Sequence, residues 1–108
     1  MRQPDQYHSL RDAVAAELEK ERRRIHAEIH DYPPPIPACD AQFNHLLYLR
    51  ARVAQEVRSA QAIPGSERRP EASESAIRQA ITGSEILSAT AKGRLLQELA
   101  RASQPSLV

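Results

Sequence analysis

The chain has 108 residues, a net charge of +1 and one cysteine, Cys39, which is room for one small domain and not for a catalytic domain plus a second module. Leu, Ile, Val and Phe supply only 22 positions and alanine alone supplies 17, a balance that favours long helices with narrow apolar stripes over a thick mixed core. Four aromatic side chains, no tryptophan and charges balanced within each part of the chain argue against an aromatic-lined ligand pocket and against a dedicated nucleic-acid domain.

Residues 9–31 predict one long helix. Ser9 with Asp12 forms a capping-box pattern, and Leu10, Val14, Leu18, Ile25 and Ile29 recur at helical spacing, with Glu21 interrupting the stripe. Tyr32 precedes Pro33, and a residue before proline is pushed out of the helical region, so the helix is expected to stop by Asp31. Pro33, Pro34, Pro35, Ile36 and Pro37 then read as an extended polyproline bridge of ~15 Å, enough to join two packed helices.

Asp40 is placed to cap a second helix over 40–62, whose stripe is Phe43, Leu46, Leu47, Val53, Ala54 and Val57. Two helices of similar length across a stiff turn predict an antiparallel, coiled-coil-like hairpin over 9–62, with Ile25, Ile29, Phe43, Leu46 and Leu47 packed near its closed end. Residues 63–72, rich in proline and charge, read as a linker. Ser73 is a candidate cap for a short helix to Ile81. Thr82 with Glu85 suggests a cap for a helix over about 83–102, striped by Leu87, Ala91, Leu95 and Leu99 and weakened by Gly93. Residues 103–108 are expected to fray. The fold class is therefore all-α, a hairpin plus one or two C-terminal helices in a single domain. Leu49 falls on the flank of its stripe and would stay wet in a bare hairpin, so completion by self-association into a homo-oligomeric bundle is expected.

Few residues suggest chemistry. His26 and His30 lie i, i+4 and Cys39, Asp40 and His45 follow across the turn, a ligand set on paper. On the helical wheel, however, each histidine falls roughly 100° or more from the centre of its apolar stripe, so the imidazoles are expected on solvated, diverging faces. Cys39 sits before a helix start, where a thiol gains acidity, but no base or second thiol is placed to use it, and a packing cysteine is the plainer reading. The run Arg22, Arg23, Arg24 is surrounded by Glu17, Glu19, Glu21 and Glu28 and reads as a solvated face with a Glu19–Arg23 pair. Arg50 lies within its stripe and is expected to snorkel or to pair with Glu21.

No phosphate loop, catalytic triad, zinc spacing or cofactor motif is present in the sequence. The unusual stretch is Asp31–Leu49. It reads both as a well-specified turn and as a docking surface with Tyr32, Ile36 and Tyr48 as anchors, because prolines and tyrosines hold apolar surface in water at low entropic cost. The function expected is non-enzymatic: a small protein-binding scaffold or adaptor whose protein partner the sequence does not name. The alternative is a nucleic-acid-associated regulator. MRQPDQYHS carries no apolar leader and no stretch of about 20 apolar residues marks a membrane span, so a cytoplasmic location is expected.

Overall fold

A computed structural model describes residues 6–34, 40–64 and 70–103. The described residues are all-helical: α1 (Gln6–Asp31), α2 (Ala41–Gln61), α3 (Pro70–Thr82) and α4 (Ala89–Ser103). None of these helices is long and apolar enough to cross a membrane. Ile36 and Cys39, most of the proline bridge and the middle of the linker lie outside the described residues.

The stripes read from spacing supply much of the core, although Phe43, Leu47 and Ala54 of the second stripe are only half-buried and, with Leu46, lie outside its central cluster. Leu10, Val14, Leu18 and Ile25 of α1 meet Val53, Val57 and Ala60 of α2, Ile77 and Ile81 of α3, and Ala91, Leu95 and Leu99 of α4 in one buried cluster. Ile63 after α2, and Ile86 and Leu87 before α4, complete it. α1 and α2 lie side by side with opposite ends together: Arg11 donates from Nη1 to the Ile63 carbonyl at 2.8 Å, and Tyr32 packs on Phe43. α3 and α4 pack on each other and on α1.

Length then divides the molecule. α1 has 26 residues and extends about 39 Å, whereas α3 and α4, with 13 and 15, extend only about 20 and 22 Å. They cover the first part of α1 and the last part of α2. Their side chains reach α1 at Tyr7 and Glu17, and the α3–α4 turn reaches α2 at Tyr48, Arg52 and Glu56. Beyond that, α1 and α2 continue as a two-helix arm. The extents of 61 × 23 × 18 Å and the radius of gyration of 16.8 Å reflect this arm, since a compact chain of this length has a radius of about 13 Å.

Several local expectations are corrected. α1 begins at Gln6, so Ser9 lies inside the helix and caps nothing; Tyr7 joins the core cluster, and covering that ring extends the helix by a turn. Asp40 does cap α2, accepting from Phe43 N at 2.8 Å. Ser73 is buried inside α3 rather than at its start, donating to the Pro64 carbonyl at 3.0 Å; α3 begins at Pro70, where a missing N–H costs nothing. Thr82 ends α3 and donates to the Arg78 carbonyl, and α4 starts six residues later than expected, with Ser88 Oγ accepting from Ala91 N at 3.1 Å. The intervening turn lets Ile86 and Leu87 enter the core.

Leu49 is half-buried against the core, because the C-terminal helices fold onto their own chain. Phe43, expected in the core, is half-buried and lies outside that cluster. Its ring leans on Tyr32 with centroids 5.3 Å apart, and the C-terminal helices stop short of this end.

Removing Leu99, which is fully buried, should cost about 2–5 kcal/mol in a Leu99→Ala variant. The half-buried Phe43 should cost less on truncation to alanine. Gly93 faces open space, with nothing within 4 Å of an added Cβ, so Gly93→Ala should stabilise by about 0.5–1 kcal/mol. Urea denaturation of the three variants checks the order.

Candidate docking surface

At the arm's end, Tyr32 follows the last turn of α1, its N–H donating to the Ile29 carbonyl. Its hydroxyl donates to Asp40 Oδ1 at 2.8 Å, the same oxygen that caps α2. One carboxylate therefore fixes the start of α2 and ties it back to α1. Ionising Tyr32 would set a phenolate beside Asp40, and its pKa is raised because the neutral hydroxyl donates to that carboxylate. Tyr32 thus serves the turn reading directly, through contacts a bare spacing argument could not supply.

Among the described residues, Tyr48 is the exposed large apolar one, at 49%. Its ring stacks on His45 with centroids 6.3 Å apart, and its hydroxyl donates to Glu85 Oε1 at 2.7 Å. The structure does not bring the two tyrosines together. Phe43, on which Tyr32 packs, is five residues from Tyr48, which places them about 140° apart around α2.

Tyr48 leads into a polar network that spacing did not reveal. Glu85 Oε2 lies 3.2 Å from Arg52 Nε, and Arg52 donates to Glu56 Oε2 at 2.8 Å. Glu56, with 10% of its side chain exposed, also accepts from the Glu85 backbone N at 2.9 Å and from Ser84 Oγ. Ser84 Oγ in turn accepts from the N–H groups of Ile86 and Leu87 at 3.0 and 2.9 Å. The Arg52–Glu56 spacing of four was visible in the sequence as a local pair; the link to a turn 28 residues away was not. A groove of about 240 Å³ lined by Leu18, Gln55, Ser59 and Gln79 adjoins Arg52 and Glu56. The Ser84 hydroxyl is committed to Glu56 and two amides, an arrangement that organises a turn rather than activates a nucleophile.

His26, His30 and His45 are all exposed. Among the described residues, no three His, Cys, Asp or Glu side chains gather as a metal site. Two arginines of the run are spent on near neighbours: Arg22 pairs with Glu19 at 3.3 Å, and Arg24 with Glu21 and Glu28 at 2.9 and 2.6 Å. Arg22 rather than Arg23 takes Glu19, and Glu21 is held by Arg24 rather than Arg50. At the opposite end, Glu74 is held below the usual carboxylate range chiefly by Arg78, with Tyr7 also donating to it. That contribution is present above the ordinary Glu pKa and is lost as pH falls through the lowered one.

Comparison with known proteins finds no family model, curated protein or solved structure that matches the chain.

Two measurements follow from this geometry. Glu56→Ala leaves Arg52, Ser84 and the Glu85 amide without their shared acceptor, and should cost about 2–3 kcal/mol by urea denaturation, more than breaking the exposed Arg22–Glu19 pair. Tyr48, like Tyr32, has a raised pKa, chiefly because its hydroxyl donates to Glu85. A raised folded pKa means stability that is full below the ordinary tyrosine pKa of 10.0 and lost as pH climbs through the folded value. Absorbance titration should find these phenols ionising late, and Tyr48→Phe should remove one late-titrating group.

Proposed function

We propose that this chain is a small non-enzymatic scaffold or adaptor that works by binding protein and that associates with itself. The observation that carries this reading is the arm. α3 and α4 stop short of it, so Ile29, Phe43 and Leu47 are only half-buried, packed in a single layer where the rest of the molecule has two. In this reading α1 and α2 form a hairpin closed by the stiff proline bridge, and the bridge holds the end of the arm in shape before a partner arrives. Tyr32, Ile36 and Tyr48 supply its contact area, Tyr48 from the side nearer the α3–α4 turn. A polyanion-binding role draws less support, because Arg22 and Arg24 are neutralised by glutamates of their own helix.

Sedimentation equilibrium at micromolar concentration should show a species heavier than the monomer. A single species of monomer mass would refute self-association. With a protein partner in hand, Tyr48→Ala and Tyr32→Ala should each weaken binding by at least ~1 kcal/mol with helicity intact; unchanged binding in both would move the surface to residues 73–102.

A further inference from the structure

Residues 23–31 of α1 read Arg-Arg-Ile-His-Ala-Glu-Ile-His-Asp, a segment whose outer charges change sign across its centre, Ala27. Arg23 lies four residues before Ala27 and Asp31 four after, so the three stand on one stripe of the helix. All three are exposed, and Asp31 is 81% so. Ile25 and Ile29, two residues to either side, turn inward and are buried or half-buried. α4 contacts α1 through Arg94 at Glu17, well before the stripe begins.

Arg23 also differs from its neighbours. Arg22 and Arg24 are engaged by Glu19, Glu21 and Glu28, whereas Arg23 forms no ion pair among the described residues. Asp31 meets His30 at 3.2 Å and no arginine or lysine among those residues. A cation and an anion are thus left on one exposed stripe at equal distances from an alanine, too far apart along the helix to neutralise each other.

We infer that the partner of this stripe is the same stripe on a second copy of the chain, antiparallel, with a two-fold axis at Ala27. In that arrangement residues equally far before and after Ala27 face each other. Arg23 meets Asp31 of the second copy, and the symmetry repeats the pair on the other side of the axis. Ala27 meets its own counterpart, and its methyl lets the helix axes approach toward the lower end of the usual ~8–10 Å. A parallel arrangement in register sets Arg23 on Arg23 and Asp31 on Asp31, so charge selects the antiparallel one. The closed symmetry ends assembly at two copies rather than in a filament. This inference rests on the self-association read above and places it on the outer face of α1, opposite Ile25 and Ile29.

Charge reversal tests it. Arg23→Glu alone sets two pairs of carboxylates face to face, and Asp31→Arg alone sets two pairs of guanidinium groups face to face. In sedimentation equilibrium at low salt each single variant should dissociate at least ~10-fold more readily than the parent, because two attractions become two repulsions. An equimolar mixture of the two single variants restores both opposite-charge pairs and should associate as the parent does. The chain carrying both reversals should do the same by itself. Far-UV circular dichroism confirms that each variant is helical, and the doubly reversed chain decides the matter if a single variant folds poorly. A parent that associates with no response to these reversals, or a mixture that stays monomeric, overturns the α1 pairing and leaves self-association standing. A monomeric parent overturns both.

Discussion

Everything distinctive in this molecule follows from a mismatch of length. α1 is about 39 Å long and the helices that close over it are about half that. Helices bury apolar stripes only where another element lies alongside. The half of α1 that α3 and α4 reach carries Leu10, Val14 and Leu18, each nearly or fully buried. Past that point the spacing breaks at Glu21, and the next apolar positions, Ile25 and Ile29, are buried and half-buried. The interruption at Glu21 marks the stretch where a four-helix body gives way to a two-helix arm. Three of the four aromatic side chains, Tyr32, Phe43 and Tyr48, lie in the arm or at its base. In a single layer, a large ring secures more contact per residue than an alanine can.

The polar contacts divide the same way. Apart from Glu17, which also takes Arg94 of α4, the ion pairs of α1 join residues up to four apart on that helix, Arg22 to Glu19 and Arg24 to Glu28 among them. They support helix formation by a few tenths of a kcal/mol each and specify no tertiary arrangement. Glu56 differs in kind. It is largely sequestered, and it gathers Arg52 from its own helix with Ser84 and the Glu85 amide from a turn 28 and 29 residues away. A charged acceptor with several donors in a partly dry place is costly to leave unmatched. The turn is thereby held on α2, and Ile86 and Leu87 are delivered into the core between α3 and α4.

Much of this was legible in the sequence, for a physical reason. Burial on a helix has a period, so the core positions of α1, α2 and α4 stood out as Leu10–Val14–Leu18, Val53–Val57 and Leu95–Leu99. The Asp40 cap was legible too, because capping is local chemistry within four residues. What escaped depends on distant partners. Ser9, Ser73 and Thr82 each looked like a cap, since a hydroxyl just before a helical run, joined at Ser9 and Thr82 by an acidic residue three positions on, is all that a local pattern requires. Ser73 is instead buried and donates to Pro64 nine residues away, and the cap of α4 is Ser88. Competing serines are decided by which choice buries more apolar surface. Here the choice of Ser88 leaves Ile86 and Leu87 free to pack. Of the three residues proposed as docking anchors, Tyr48 was readable as exposed, but its hydrogen bond to Glu85 was not; the role of Tyr32 against Asp40 emerged only when the two helix ends met. Ile36 lies outside the described residues.

The division between body and arm separates the residues that the fold depends on from those that it leaves exposed. In the body, Leu95, Leu99, Ile77 and Ile81 are enclosed, and changes there act through packing density, so variation is constrained by cavity cost. On the arm, Arg23, Ala27, Asp31, His30 and His45 point to solvent, and changes there cost the fold little while altering what the surface offers. The Asp40 carboxylate, shared by Tyr32 and the start of α2, couples the two demands at the arm's end. A side chain that held the cap but released the tyrosine hydroxyl would loosen the end without unfolding the body. A protein with few large apolar residues can build such a surface because α3 and α4 confine most of its core to one half, leaving the other half of α1 free to display charge.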